Sequence, residues 1–346
     1  MGRVQYHLTG PGSNAFLEKI TPSDVQTLPE HRSTLSALLH PETGGICDDT
    51  IITRLEPEKF YIVTNAGCRE KDYAFLMSEI DAWNNANQPS VKLTELKNQG
   101  LIALQGPLAA SILDSLVSDP ANAKLKELFF GSSKFITINL PSGTSAPMLA
   151  SRGGYTGEDG FEISIAPEDT VAVTSHLLSH AGPDQLRLAG LGARDSLRLE
   201  AGMCLYGHDL DDSTTPVEAG LSWIIGKSRR ESEGFNGAET ILPQLTPVSK
   251  GGKGVSRRRI GLIVEGAPAR EGAEIVDSEG KVVGKVTSGC PSPTMKKNIA
   301  MGYVKNGLHK AGTELGVVVR GKQRKAVVSK MPFVPSKYWK GGVSPA

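Results

Sequence analysis

An α+β body followed by a small all-β domain is the fold class that this sequence predicts, and three observations carry it. Up to about residue 245, apolar runs of strand period and of helix period follow one another without the regular βαβ repetition of a doubly wound sheet. The stretch TPVSKGGKGVSRRR (246–259) is rich in Gly, Lys and Ser and reads as a linker. Beyond it come only short alternating runs, RRIGLIVEG, GKVVGKVTSG, AMGYVK and LGVVVRGKQRKAVVSKMPFV, separated by Gly, Pro and Asn. Regularly spaced strands of that kind form a small barrel or sandwich.

In chain order, VQYHLTG opens as a strand, and KFYIVTNAG and GLIALQGP are two more. Between these two, CREKDYAFLMSEIDAW spaces its apolar residues at helical intervals, and PLAASILDSLV and GARDSLRLEAG do the same further on. A chain of 346 residues predicts two or three domains, and 39% apolar with 22% charged residues is ordinary for a chain with a sizeable core. No stretch approaches 18 consecutive apolar residues, so no transmembrane helix is expected. The start, MGRVQYHLTGPG, has neither an apolar h-region nor an Arg/Ser-rich leader.

Cys47, Cys68, Cys204 and Cys290 are scattered without a CxxC pair, which argues against a structural zinc site and a disulfide framework. From residue 251 onward there are 18 Lys/Arg against 6 Asp/Glu, while the remainder holds 20 against 31. A basic C-terminal module beside an acidic body suggests mutual docking, an anionic ligand or an acidic protein partner. The basic region lacks an aromatic stacking motif, so nucleic acid is not expected.

The segment GGYTGEDGFEIS (153–164) sets Gly154, Gly157 and Gly160 directly before a lone acid. Its spacing is not the dinucleotide fingerprint, and its glycines precede a strand, so they build a turn and not a phosphate cradle. On that strand Phe161, Ile163 and Ile165 share one face, and Glu162 and Ser164 the other. Glu162 therefore points either into water or into a cavity. In LGARDSLRLEAGMCLYGHDLDD (191–212), Arg194 and Arg198 lie one helical turn apart and Asp195 can pair with Arg198, which reads as a surface ladder. His208, Asp209, Asp211 and Asp212 fit neither an EF-hand nor a zincin spacing, and no metal is expected. In TGGICDDTIITR (43–54), Asp48 and Asp49 are adjacent on a strand and should face opposite ways, so that at most one lines a given cavity. Turn capping accounts equally for these acids and for NAGC (65–68).

LIALQGPLAASIL, GGYTGEDGFEIS, GLGARDSLRLEAGMCLYGHDLDDSTTPVEAGLSW and VTSGCPSPTMKKNIAMGYV resemble, in order and spacing, the aminomethyltransferase (T-protein) family of the glycine cleavage system. The similarity runs from about residue 3 to about residue 340, and MPFVPSKYW resembles the eukaryotic, mitochondrial branch, which implies a mitochondrial location. The resemblance implies a ring-like multidomain fold: a folate-binding α+β body of two intertwined subdomains (1–245), the linker (246–259) and a C-terminal β-barrel (260–340). It also implies a reaction. The lipoylated H-protein carries an aminomethyl group on its dihydrolipoyl arm, and the one-carbon unit passes to tetrahydrofolate, giving 5,10-methylenetetrahydrofolate and ammonia.

Site residues carry over by motif position. Asp48 matches the family's essential aspartate, whose fixed carboxylate would stabilise the cationic carbon left when ammonia departs. Glu162 matches the acid that grips the pterin, where one carboxylate accepts from an N–H and an NH₂ side by side. Tyr155 and Asn65 match further folate contacts, Arg194 a ligand-binding arginine and Tyr338 a C-terminal contact. The basic C-terminal module would suit an acidic H-protein.

Family members usually begin several dozen residues earlier, so VQYHLTG is expected to lack strand partners and to leave an exposed edge. Two other readings compete. A non-catalytic folate-binding relative that assists iron–sulfur assembly carries K-G-C-x-x-G-Q-E, where this chain reads GMCLYGHDLDD. An inactive truncated form would still bind H-protein. The related sarcosine and dimethylglycine dehydrogenases are not expected, because no flavin-domain sequence precedes the motif.

Overall fold

Alternation of apolar and polar residues in VQYHLT gives a strand with one face fit for the core, and that strand becomes an interior strand of a sheet, next to its edge. The computed structural model describes residues 3–86 and 88–341. Its first part holds β1 (Arg3–Thr9), α1 (Ser13–Ile20), β2 (Ser33–Leu39), β3 (Ile46–Glu56), β4 (Lys59–Asn65), α2 (Arg69–Asn85) and β5 (Lys92–Glu95). The strands form one sheet in the order β2-β3-β4-β1-β5, with antiparallel neighbours. The partnerless edge expected at VQYHLTG is absent: β1 pairs with β4 along its whole length and with β5 through Tyr6–Thr9. The short β5 takes the outer position and fills the pairing that the sequence reading left open. Phe16, Leu17, Leu76 and Ile80 of the two helices cover Tyr6, Leu8, Phe60 and Ile62 on one face of the sheet.

The second part runs through β6 (Gly100–Gln105), α3 (Ala109–Asp114), α4 (Pro120–Ala123), β7 (Ser133–Ile136), the ribbon β8 (Asn139–Leu140) and β9 (Gly143–Thr144), β10 (Met148–Arg152), β11 (Gly160–Ile165) and α5 (Thr170–Ala181). Its main sheet is β6-β11-β10-β7, again antiparallel. Phe161, Ile163 and Ile165 are fully buried on the helix-covered face, among Leu113, Val173 and Leu177. The opposite face meets the first sheet, where Leu149 packs with Leu55, Tyr61 and Val63. One buried amide pins the two sheets together. Gln5 donates from Nε2 to the Gln99 carbonyl (2.9 Å), while its Oε1 accepts from Tyr61 (2.7 Å) and Ser164 (2.6 Å).

Next come α6 (Leu191–Glu200) and α7 (Ala238–Leu245). The chain between and around them sets Val217, Ile224, Ile225 and Ile241 against Ala37, Leu39 and Ile46 of the first sheet. A closed six-stranded barrel follows: β12 (Arg257–Val264), β13 (Glu274–Val276), β14 (Val282–Ser292), β15 (Lys297–Lys305), β16 (Glu314–Val319) and β17 (Lys322–Ser329), in the order β12-β15-β14-β13-β16-β17. The strand β12 begins at Arg257, inside the stretch read as linker. Arg259 shows why: its N–H donates to Glu218 (2.9 Å) and its guanidinium to the Ala219 carbonyl (2.6 Å), so the body draws the strand start toward itself.

Leu199 of α6 docks on Cys290, Ile299 and Met301 of the barrel. Beside it the expected surface ladder is corrected. Arg198 does reach Asp195 (2.8 Å), but it is buried, and its Nη1 lies 2.7 Å from the fully buried Asp209. Asp209 also accepts from Thr287 (2.5 Å) and Ser288 (2.9 Å), so two barrel hydroxyls close on an ion pair that the body makes within itself. After β17 a strap returns to the body. The N–H groups of Phe333 and Val334 donate to the Glu200 carbonyl, that of Lys337 to Gly157, and that of Phe130 to Trp339.

Candidate active site

A β-bulge sets up the first half of the site. Asp48 pairs with Leu38 and Ile46 with Leu39, which leaves Cys47 as an extra residue in β3. Asp48 is fully buried and is held twice by Asn65, whose N–H reaches Oδ2 (2.9 Å) and whose Nδ2 reaches Oδ1 (2.8 Å). The same Nδ2 donates to Asp49 (2.9 Å). The two aspartates therefore do not serve separate places, contrary to the expectation from strand alternation. Asn65 ends β4, where the chain leaves the sheet, so its amide spans the sheet edge and collects both acids. Arg3, its cross-strand partner, donates to Asn65 Oδ1 (2.9 Å) and fixes the amide's orientation. Burial pushes Asp49 up to about 6, with Arg3 pulling it down and Asp48 pushing it up.

The second half is built on the glycine turn. Gly157 has φ +77°, a conformation that other residues enter at a cost, and a Cβ at Gly160 would lie 2.4 Å from the Leu104 carbonyl. Arg152 clamps the turn through Asp159 (Nε–Oδ1 3.0 Å). Glu162, just after it, pairs with Ser151 and Ala103 on the face turned toward the first sheet. Ser164, two residues on, is tied to Gln5 on that same face. Glu162 thus shares with Ser164 the face turned toward the first sheet, away from the helix-covered core. Among the described residues its carboxylate makes no ion pair within 4 Å.

Arg194, in the first turn of α6, lies with its Cζ 4.7 Å from the Tyr155 ring centre, and the Tyr155 hydroxyl donates to the Cys204 carbonyl. The Arg194 Nε is buried and has no hydrogen-bond partner among the described residues. Burial lowers its pKa, Arg3 adds to that, and Glu162 acts the other way. Burial likewise raises the Tyr155 hydroxyl, and the charge of Asp49 contributes. Arg3 and Asp49, Asp49 and Tyr155, and Arg194 with Arg3, Tyr155 and Glu162 therefore lie near enough to feel one another's charge, and Asn65 links Arg3 to Asp48. Tyr338 stands apart. It stacks on Phe130 (centroids 4.2 Å apart, 24° between planes), and its buried hydroxyl has no partner.

Sequence reasoning missed Arg3 and Asp72. Arg3 precedes the alternating run and looks like a chain-end charge. Asp72 sits among the polar positions of a helix, and only the fold turns it under Asp48. Two clusters of three potential metal-ligating groups occur among the described residues: His40, Cys47 and Asp212, and Asp48, Cys68 and Asp72. In the first, the Lys71 ammonium already lies 3.1 Å from Asp212 and His40 lies 2.7 Å from it.

The buried, unpartnered Arg194 Nε, the aromatic face beneath it and the unpaired Glu162 carboxylate suit a planar ligand that offers paired N–H donors and carries negative charge. Residues 2–229 match a family model described as the GCVT N-terminal domain, and residues 257–335 match one described as the glycine cleavage T-protein C-terminal barrel domain. Curated relatives include a probable mitochondrial aminomethyltransferase of Schizosaccharomyces pombe, 49% identical over 97% of this chain and 81% of that one. The mitochondrial aminomethyltransferase of Mus musculus is 47% identical over 97% and 78%. Among solved structures, the glycine cleavage system aminomethyltransferase T of Bartonella henselae superposes with a TM-score of 0.84 at 37% identity, covering 98% of this chain and 86% of that one.

Proposed function

The chain belongs to the aminomethyltransferase (T-protein) family of the glycine cleavage system, and on that premise we propose that its cleft carries the one-carbon unit from the aminomethyl-dihydrolipoyl arm of H-protein to tetrahydrofolate. It works in the mitochondrion, as its curated relatives do. Tetrahydrofolate is the cosubstrate, and its N5 and N10 amines would take up the one-carbon unit as ammonia leaves. The body (1–245) holds it, and the barrel and strap flank it.

Asp48 is the catalytic residue of this reading. Its two hydrogen bonds from Asn65 fix the carboxylate before the reaction, so it meets the positive charge developing at the transferred carbon without having to reorganise. Glu162 accepts from the pterin N–H groups, with one carboxylate serving two adjacent donors. Tyr155 offers a flat face, and Arg194, whose fork still has donors to give, binds the anionic part of the cosubstrate. Asn65 acts on the cosubstrate through the orientation of Asp48. Tyr338, stacked on Phe130 in the strap, is a further contact of this reading. What carries the reading is the doubly held Asp48, joined through Asn65 and Arg3 to the group that holds the unpaired Glu162 carboxylate and the unsatisfied Arg194 guanidinium. Ammonia release from aminomethyl-loaded H-protein, with and without tetrahydrofolate, tests it. We expect folate-dependent release that falls roughly 100-fold or more in Asp48→Asn, with the fold intact. Release without folate dependence, or undiminished in the variant, refutes the reading.

H-protein is the expected partner, and the basic barrel is its proposed docking face. Lys296 and Lys297 are exposed at the β14–β15 hairpin, beside the end of α6. Reversing both charges should slow association and weaken its salt dependence, as rim charges do. Unchanged binding in a stopped-flow or calorimetric titration removes these two lysines from the face.

A further inference from the structure

Beneath Asp48 lies a buried acid for which the mechanism above has no use. Asp72, one turn into α2, is fully buried, and among the described residues neither of its oxygens has a well-formed hydrogen bond from an N–H or O–H donor. Carboxylate oxygens of Asp48 and Asp72 and the Cys68 sulfur all lie within 4.8 Å of one another. The hydroxyls of Tyr6 (β1) and Thr64 (β4), buried and without a well-formed partner among the described residues, lie beside Asp72. Two carboxyl groups so close in a dry site do not both ionise, and one of them keeps a proton. Asn65 decides which one. It gives two hydrogen bonds to Asp48 and none to Asp72, favouring the anion at Asp48 and the acid at Asp72.

We propose that Asp72 is a positioning residue for the transfer: it stays in its acid form and donates a hydrogen bond to the Asp48 carboxylate, completing from below the grip that Asn65 applies from the side. The inference rests on the reading of Asp48 as the catalytic carboxylate. The groups facing Asp72 agree with it. Burial raises the Asp72 carboxyl far above the ordinary range, the contact with Asp48 raises it further, and Thr64 and Lys71 oppose this only in part. Cys68 and Cys47 are themselves pushed up to about 12 by burial, so neither brings a thiolate to the cluster at neutral pH, and Tyr6 is pushed up to about 12 for the same first reason. A neutral acid at this place adds a donor without adding a second buried charge.

The test compares wild type, Asp72→Ala, Asp72→Asn and Asp48→Asn in the ammonia-release assay on loaded H-protein, from neutral to alkaline pH. Circular dichroism and thermal melting verify folding. We expect Asp72→Ala to lower kcat by about 100-fold, with KM for tetrahydrofolate little changed, because a carboxylate displaced by about 1 Å loses on that scale. Asp72→Asn, whose amide donates the same hydrogen bond, should restore most of the loss. It should also lack the alkaline decline that wild type shows as Asp72 gives up its proton. A folded Asp72→Ala with wild-type kcat, or a folded Asp72→Asn as impaired as the alanine variant, overturns the role of Asp72 while Asp48→Asn remains inactive. An active Asp48→Asn overturns the reading of Asp48, and Asp72 falls with it. Activity abolished by a chelator, restored by zinc and accompanied by one zinc bound per chain would assign Asp48, Cys68 and Asp72 to a metal and likewise overturn the proposal.

Discussion

Asn65 determines how the two aspartates of β3 behave, because one amide group serves both while Arg3 holds its carbonyl oxygen. Strand alternation alone separates Asp48 from Asp49. The bulge at Cys47 and the position of Asn65 at a strand end bring them together, and neither is visible in the spacing GGICDD. Glu162 was legible, since two alternating faces of FEISI leave it opposite three buried apolar residues. Asp72 was not, because its significance comes from a contact between α2 and β3 that local periodicity does not encode. Its burial also has a thermodynamic signature. The folded-state pKa of Asp72 is raised above the ordinary value of about 3.9. Above that ordinary value the unfolded chain has released a proton that the native chain keeps, so stability falls as pH rises toward the folded-state pKa. Asparagine carries no such proton. The difference in Tm between Asp72→Asn and wild type should therefore grow in the variant's favour from about pH 5 to about pH 8. A difference that stays constant across that range means Asp72 is not buried as an acid.

Among the elements, the helix α2, the strand β11 and the barrel strands with their Gly and Pro separators formed as read. Boundaries moved where tertiary contacts took over, as at Arg257–Arg259, which the Lys/Gly-rich surroundings assign to a linker and the body recruits into β12. The hairpin that leads into β3 is the element on which the site depends most. Gly45 packs so closely on the chain after α6 that a Cβ there would lie 1.8 Å from the Asp212 carbonyl oxygen, a contact that only backbone movement relieves. Asp212 in turn holds His40 and Lys71. Gly45→Ala should cost about 1–3 kcal/mol by overpacking and lower activity as well, since β3 must shift two residues from Cys47 and three from Asp48. A denaturation midpoint equal to that of wild type would show that the hairpin yields without cost.

Across the whole molecule, body and barrel are joined by apolar contact around Leu199 and by the barrel hydroxyls of Thr287 and Ser288, which bond to the body's buried pair Arg198–Asp209. The sequence did announce a basic barrel beside an acidic body. What it hid is that the decisive pairing is buried: LRLEAGMCLYGHDLDD reads as a run of solvated charge until the barrel hydroxyls of Thr287 and Ser288 come to Asp209. Removing one partner of such a pair leaves the other charge uncompensated, so Asp209→Ala should cost about 3–5 kcal/mol. It should also speed proteolytic cutting in the 246–256 segment. Stability within about 0.5 kcal/mol of wild type would place the pair among those that contribute nothing measurable.

The strap carries a lesson for anyone who would build hybrids from relatives of this protein. By sequence, residues 330–341 come after the barrel and would travel with it in any exchange at the linker. By contact they answer to the body, through Glu200, Gly157 and the aromatic seat at Phe130. A foreign barrel therefore arrives with a tail fitted to someone else's helix and turn. A crossover in the linker needs a second crossover just past Ser329, so that the recipient keeps its own tail.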